Sequence, residues 1–407
     1  MTNGMIPATV CRFRNPRTEF TSRRSVCTEV RGLEAVEQVL EEELTEALGT
    51  ERYARGTSRC GYRNGHQTRR LTTAQGVQDL RVPRGRLVDR DGSSCVFRSG
   101  VVPRYARRTR EVDEAILGAY LAGANTRRIR KALAPLLGEE HLSKSAVSRV
   151  AARLQALFAA WSERDLSEER YAILFLDGFH VKVRMARRVV SVPVLAVLGV
   201  AEDGTKRLVA LQLAVSEAGQ HWTGLVADLQ HRGLSAPVLI VSDGHAGLRK
   251  AIELWPEAQV QRCTWHKWQN LVGHCPVHAR RELKRDYDRI VYAKDGLVAR
   301  EAYAALVAKW GTLCPAVARS LEEAGEQLLT FYAFPKPMWR SLRTTNSLEN
   351  LNREFRRRTK TQASFSTEDA AVTLLYGLVA FGQIQLRKID GHRHVSELLA
   401  PSVASAA

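Results

Sequence analysis

Asp177, Asp243 and Glu349 are the residues best placed to do chemistry. They lie in the frames Leu174-Phe-Leu-Asp-Gly178, Ile240-Val-Ser-Asp-Gly244 and Thr345-Asn-Ser-Leu-Glu-Asn350. The first two carboxylates end apolar, strand-like runs and the third sits in a polar, helix-like run. Brought together, three carboxylates supply shared oxygen ligands for two Mg²⁺ ions (or Mn²⁺ in their place) roughly 3.5–4 Å apart, which would activate an attacking oxygen and stabilise a leaving one at a phosphodiester. Asp177 and Asp243 are expected to bridge one metal, with Glu349 closing the other. Each has a plainer alternative: Asp177-Gly178 as a hairpin turn, Asp243 as a helix cap, Glu349 as a solvated helix charge. Their joint occurrence, in order and on a fitting strand pattern, favours the catalytic reading.

That pattern begins at Tyr171. Tyr171 to Leu176, Val189 to Val200 and Arg207 to Val215 read as strands, Gln220 to His231 as a helix ended by Gly233, Pro237 to Val241 as a strand, His245 to Leu254 as a helix and Gln259 to Cys263 as a strand. The order βββαβαβ is that of a ribonuclease-H-like sheet, not the regular alternation of a doubly wound fold. Its first strand would lie centrally with the fourth beside it, bringing together Asp177 and Asp243, which are 66 residues apart in sequence. The stretch before Glu349 is too long for a loop and rich in Ala, Leu, Glu and Arg, so it predicts a helical insertion. The catalytic domain is accordingly placed at 166–270 and 341–362, the all-α insertion at 271–340, and a C-terminal helix (Ser366 to Ile389) and tail in 363–407.

Upstream, charge dominates. The chain has a formal net charge of +18, and residues 51–110 hold fifteen Arg, no Lys and four acidic residues. Turn signals at Arg63-Asn-Gly65, Ala74-Gln-Gly76, Val82-Pro-Arg-Gly85 and Asp91-Gly92 divide this span into short strand-like pieces, predicting a small basic β-rich module. Such charge points first to a polyanionic partner, a bias that ribosomal and membrane-surface proteins share; Arg suits bidentate phosphate contacts, and with double-stranded DNA as that partner Arg63, Arg69 and Arg70 are candidate contacts. A solvated basic face is the bland alternative. Residues 1–50 read as a loose N-terminus followed by a helix from Val36 to Leu48. Residues 111–165 read as three helices, Val112 to Ala122, a second from the Asn125-Thr126 cap to Leu137, and a third from Lys144 to Phe158. They make a helix-turn-helix reader with Lys144, Ser145, Ser148 and Arg149 facing DNA, or a plain helical hairpin packed into a larger domain.

Seven irregularly spaced cysteines do not form a disulfide framework and fit a reducing compartment. No apolar run approaches a bilayer span and the first residues lack a secretory core, so a cytoplasmic protein with no membrane association is expected.

From about Arg52 to Lys388 the sequence resembles the bacterial Mutator-type insertion-sequence transposases of the acidic-triad (DDE) class. The resemblance rests on Gly61-Tyr-Arg-Asn-Gly65, Gly123-Ala-Asn-Thr-Arg127, Leu142-Ser-Lys-Ser-Ala-Val-Ser148, Leu176-Asp-Gly178, Ser242-Asp-Gly-His-Ala-Gly247, Gln261-Arg-Cys-Thr-Trp-His266, Phe331-Tyr-Ala-Phe-Pro335 and Leu342-Arg-Thr-Thr-Asn-Ser-Leu-Glu349. It implies that Asp177, Asp243 and Glu349 are the catalytic triad. It further implies cleavage at terminal inverted repeats and strand transfer into target DNA with Mg²⁺ and no nucleotide cofactor, through a circular element intermediate, in a bacterial, nucleoid-associated protein. Two DNA ends must meet, so a homodimer or higher oligomer on DNA is expected.

Cys263 and His266 match the family's Cys-x-x-His element and imply a supporting role, with His266 on a phosphate or a metal-bound water and Cys263 packed beneath. Cys275 and His278 repeat the spacing, which leaves structural zinc and ordinary packing open. Trp265 and Trp268 read as core residues in preference to base-stacking platforms. Arg353, Arg356, Arg357 and Arg358 follow Glu349 and could hold the DNA backbone, with Arg343 and Asn346 as further contacts to the scissile strand; as solvated helix charges these arginines would need no explanation. Beside an active transposase stand a catalytically silent DNA-binding derivative and a ribonuclease-H-like nuclease or resolvase without strand transfer. The intact triad disfavours the first, and the basic module and insertion disfavour the second.

Overall fold

The computed structural model describes residues 33–399 except 55–58, 74–75, 90, 104, 123–128, 130, 135–143, 186–187, 215–218, 360–364 and 366. Two compact units divide the chain, residues 1–120 with 126–150 and residues 121–125 with 151–407.

In the first unit, Leu40, Leu44 and Leu48 recur every fourth position and give helix α1 (Leu33–Leu48) one buried stripe. Leu40 packs with Leu71, Leu80 and Val102, against an antiparallel sheet ordered β1 (Gly61–Thr73), β2 (Gly76–Val88), β3 (Ser94–Val96). The β-rich module is present, but two predicted turns are not. β1 and β2 run straight through Arg63-Asn-Gly65 and Val82-Pro-Arg-Gly85, and the register slips between Arg63 and His66. Pro83, which has no N–H to give, pairs beside that bulge, where a missing ladder bond costs least. Helices α2 (Arg110–Leu121) and α3 (Lys144–Ser162), the latter assigned to the second unit from Ala151 on, match the first and third of the three expected helices; most of the second lies outside the described residues.

The second unit is organised by β4 (Tyr171–Met185), which was expected to end at Leu176 but continues to Met185, 15 residues in all. It pairs antiparallel with β5 (Arg188–Ala201) from Tyr171↔Ala201 to Met185↔Arg188, so Asp177 lies mid-strand opposite Ala196 and the hairpin alternative is excluded. With β6 (Lys206–Leu213), β7 (Leu239–Ser242) and β8 (Gln259–Arg262) the sheet order is β6-β5-β4-β7-β8; β4, β7 and β8 are parallel to one another. Side chains alternate across a strand. Leu174 and Leu176 face a core with Trp222, Leu225 and Leu229 of α4 (Gly219–His231) and Leu248 and Ile252 of α5 (Ala246–Ile252). On the alternate positions of β4, Phe179 stacks on Phe355 of α11 (Asn346–Thr359), with ring centroids 5.6 Å apart. α11 therefore covers the face to which Asp177, two residues before Phe179, belongs.

Between β8 and α11 the chain is helical: α6 (Thr264–His274), α7 (Arg280–Val291), α8 (Gly296–Leu313), α9 (Pro315–Ala324) and α10 (Trp339–Leu342), joined in part by 3₁₀ turns. These helices bury their own core, including Leu271, Leu283, Ile290, Leu306, Trp310 and Leu321. Beyond α11, the single helix expected over Ser366 to Ile389 stops early, at Ala380 (α12, Glu368–Ala380). Gly382 takes φ +68°, and the N–H groups of Phe381, Gly382 and Ile384 close onto the carbonyls of Gly377, Val379 and Leu378. The short helix α13 (Val395–Leu399) is the last described element.

Candidate functional site

Leu176↔Ser242 is the last pair of the parallel β4–β7 ladder. Asp177, within β4, and Asp243, just past the end of β7, are the next residues along backbones that pair about 4.8 Å apart. The sequence reading of β4 beside β7 rests on apolar runs alone, yet that register is what makes the two carboxylates neighbours. Asp177 is 7% exposed. Asp243 Oδ1 accepts the His245 N–H at 2.9 Å. The cap of α5 is His245, whose Nδ1 accepts the Gly247 N–H, so the capping alternative for Asp243 does not apply.

The turn after Asp243 is held from below. Gly244 has φ +77°, and a Cβ there would lie 1.7 Å from Arg262 Nε. Arg262, itself buried, forms a bidentate pair with Glu323 of α9 at 3.1 Å for both bonds. Glu323 also accepts buried Lys267 Nζ at 2.7 Å and pairs with Arg249 at 3.0 Å. One α9 carboxylate thus fixes the cation beneath the Asp243 loop. Gly244→Ala is expected to destabilise the protein by about 2–4 kcal/mol, since left-handed strain and overpacking add. Urea unfolding checks this, and a change below about 0.5 kcal/mol, the range of an ordinary surface substitution, would contradict the tight approach.

The first turn of α11 carries Glu349, with Thr345 just ahead of the helix. Buried Thr345 donates its N–H to Cys263 Sγ at 3.4 Å, and its Oγ1 lies 3.4 Å from Cys263 Sγ, 3.4 Å from His266 Nδ1 and 3.3 Å from Glu349 Oε1. His266 Nε2 is 4.0 Å from Glu349 Oε1. One helical turn past Glu349, buried Asn352 donates Nδ2–H to Asp177 Oδ2 at 3.2 Å, while its Oδ1 is buried without a hydrogen-bond partner. Thr345 and Asn352 have no role in the sequence reading. Their spacing of four before and three after Glu349 puts all three on one helix face, which is the signal that could have found them.

Burial pushes the Asp177 carboxyl up to about 7; His266 opposes the rise, and the charges of Asp243 and Glu349 add to it. His266 is pushed up to about 9, first by its hydrogen bond to Cys263, against the effect of burial, with Cys263, Asp177 and Asp243 adding electrostatic attraction. The charges of Asp243 and Glu349 reach buried Asp177, a repulsion that a cation would relieve, but the three carboxylates are not among the groups whose ligand atoms lie within 4.8 Å of one another in the described residues.

The Cys-x-x-His pairs separate. Cys263 is fully buried and joins His266 and Glu349, whereas Cys275 packs into the helical core with its thiol directed to the Pro276 carbonyl, and His278 is exposed. Among the described residues the His, Cys and acidic group able to hold a metal is Cys263, His266 and Glu349, with ligand atoms within 4.8 Å of one another. Trp268 packs on Tyr287 as a half-buried residue. Trp265 is 47% exposed, contrary to its reading as core. It lines a cavity of about 210 Å³ with Tyr292, Arg340, Arg343 and Asn346.

The candidate DNA contacts fall into different settings. Arg63 is paired with Glu41 at 2.8 Å, and Arg69 donates to the carbonyls of Pro103 and Ala106, so both guanidiniums serve the fold of the first unit. Arg70 is exposed, 3.6 Å from Asp79. Ser148 and Arg149 are exposed on α3; the side chains of Lys144 and Ser145 lie outside the described residues. In the second unit Arg343 stacks over Tyr292 at 4.5 Å and Asn346 is exposed where α11 begins. Arg353, Arg356 and Arg357 are exposed along α11, Arg357 paired with Glu354, while half-buried Arg358 donates to the Gln383 carbonyl.

Residues 20–384, which include all three carboxylates and the Cys263/His266 pair, match the family described as Transposase, Mutator family. The chain belongs to this family. Among its Mutator-family relatives, the transposase of insertion sequence element ISRM5 from Rhizobium meliloti is 36% identical over 348 residues, 84% of each chain. The transposase of IS406 from Burkholderia multivorans is 35% identical, over 82% of this chain and 84% of its own. That of IS256 in transposon Tn4001 from Staphylococcus aureus is 30% identical, over 83% and 85%. In this Mutator-family chain no helix among the described residues is long and apolar enough to cross a membrane.

Proposed function

We propose that this chain binds the terminal inverted repeats of an insertion sequence, cleaves DNA at the element ends and joins the freed strand to target DNA. The observation that carries the reading is the register placing Asp177 and Asp243 directly after paired residues of adjacent parallel strands, with Glu349 close enough for its charge to act on Asp177. The sheet order, with the first strand central and the fourth beside it, supports a ribonuclease-H-like catalytic domain. The relatives' description as insertion-sequence transposases supports the substrate class.

The donor set fits Mg²⁺. Three carboxylates supply hard oxygens, and the Asp177 carboxyl is held near neutrality by burial and by the other two acidic groups, a penalty that divalent charge would remove. Asp177, Asp243 and Glu349 would hold two such ions, or Mn²⁺, which when bound polarise the phosphodiester and lower the pKa of the attacking hydroxyl. The chain's own groups do the positioning. Asn352 orients Asp177, Arg262 supports the Asp243 turn, and Thr345 sets Glu349 and His266 in one cluster. His266, charged at neutral pH, offers a phosphate an ion pair at the rim of the site. Arg353 and Arg356 on α11, with Arg343 and Asn346, are disposed to hold the strand on the same side as Glu349. Two ends must be held at once for joining, so the active form is a homodimer or larger assembly on DNA.

The test incubates wild-type protein and Asp243→Asn with the element's own end sequence, in Mg²⁺ and then in EDTA, and maps nicked and joined strands. Metal-dependent cleavage and joining lost in the variant is the expected result. Cleavage that survives Asp243→Asn would place the chemistry elsewhere, and specific binding without cleavage by either protein would make the chain a regulatory binder.

A further inference from the structure

Glu349 belongs to two ligand sets of different chemical character. With Asp177 and Asp243 it makes up the all-oxygen set of the function proposed above. Towards Cys263 and His266 it completes a sulfur, nitrogen and oxygen set whose ligand atoms lie within 4.8 Å of one another. The second set is held in place independently of the first. Thr345 Oγ1 is within 3.4 Å of the Cys263 sulfur and of His266 Nδ1, and 3.3 Å from Glu349 Oε1. Cys263 precedes α6 and makes no side-chain cap to its backbone; its sulfur is engaged within the cluster, by Thr345 and by the His266 side chain. The His266 and Glu349 side chains are 33% and 35% exposed, which leaves one side of the trio open for an ion to enter.

Thiolate, imidazole and carboxylate are the donors Zn²⁺ selects, whereas Mg²⁺ takes oxygen almost alone. Tetrahedral zinc with bonds of about 2.0–2.3 Å sets its ligand atoms roughly 3.5 Å apart, a closure of about 1 Å from the widest spacing here. We propose that Cys263, His266 and Glu349 form a Zn²⁺ site with a fourth position open to water, and that zinc bound there withdraws Glu349 from the carboxylate set. Binding releases the thiol proton, and the imidazolium proton where His266 is charged, to solvent; no electron moves. The zinc site itself stands on geometry, while the inhibition it causes rests on the function proposed above.

Co²⁺ is the probe. Titrated into metal-stripped protein, it is expected to give, at one equivalent, the near-ultraviolet thiolate-to-cobalt band and the visible bands of tetrahedral coordination. Zn²⁺ should bleach both, and excess Mg²⁺ should not. The bands should vanish in Cys263→Ser and persist in Cys275→Ser, Asp177→Asn and Asp243→Asn. Absence of the thiolate band in the wild type overturns the site whatever the variants do, as does its persistence in Cys263→Ser. One equivalent of Zn²⁺ should then cause loss of Mg²⁺-supported cleavage, restored by chelation and fresh Mg²⁺. Cleavage undiminished by bound zinc overturns the withdrawal of Glu349. A protein that shows the cobalt bands but never cuts DNA keeps the zinc site and refutes the proposed function.

Discussion

Replacing Asp177 with asparagine is expected to stabilise the metal-free protein above neutral pH while removing strand cleavage. Burial, with the charges of Asp243 and Glu349, raises the Asp177 carboxyl from its ordinary value of 3.8 to about 7. Between those two values the native state binds a proton that the unfolded chain has lost, so stability is fully present below the unfolded pKa and falls as pH rises to about 7. A gap of some three units amounts to on the order of 4 kcal/mol. Asparagine carries no charge to desolvate, and its Oδ1 can still accept the Asn352 N–H. The variant should therefore match the wild type in acid and melt several degrees higher above pH 7, a shift on the scale of a few kcal/mol in a chain of this size. Mg²⁺ should raise the wild-type melting temperature and leave the variant's nearly unchanged. Cleavage should fall at least ~10³-fold, since a lost metal ligand removes several kcal/mol of transition-state stabilisation. Scanning calorimetry over pH decides the first part. A variant less stable than wild type throughout would mean that the three carboxylates do not strain the native state.

The second large effect is expected at Glu323, distant in sequence from every residue of the triad. Arg262 and Lys267 are 3% and 2% exposed in their side chains, and Glu323 is the carboxylate that pairs with both. Glu323→Ala strands two buried cations, and removing one partner of such a pair costs about 3–5 kcal/mol; the partial exposure of Glu323 favours the lower end. Burial raises the Glu323 carboxyl, but the hydrogen bonds and charges of Arg262 and Lys267 outweigh it and bring the group down to about 2. Its contribution is accordingly present above the ordinary carboxylate range and lost as pH falls through about 2, so the gap between wild type and variant should narrow in acid. Glu323→Gln, which keeps one acceptor oxygen, should cost less. Because Arg262 packs under Gly244, cleavage should fall even under conditions where the variant remains folded. Urea unfolding of Glu323→Ala within about 1 kcal/mol of wild type would show that Arg262 and Lys267 find other partners.

Much of this was legible in the chain. Apolar runs of strand length gave the order of the sheet, and the Asp-Gly frames and the Thr345–Asn350 run singled out the three acidic residues. What escaped depends on contacts between distant segments. A strand that continues through Asp177-Gly178 looks like a strand that turns there until β5 supplies fourteen residues of partner. Arg63 and Arg69 read as free cations because Glu41 and the carbonyls of Pro103 and Ala106 are brought to them only by folding. Gly382, by contrast, was visible as a helix stop, and the apolar residues after it masked the signal.

The helices between β8 and α11 bear on synthesis as well as on packing. They bury their own core, and the sheet is complete at Arg262, so both can form before α11 emerges. At about 5–20 residues per second, roughly 5–20 s separate the appearance of Asp243 from that of Glu349. Throughout that interval the nascent chain holds two of its three carboxylates, and the face of β4 bearing Phe179 waits for Phe355. The last acidic residue acts as a delay line: a chain released early keeps its arginine-rich first unit and its sheet but lacks the third carboxylate that the proposed function requires.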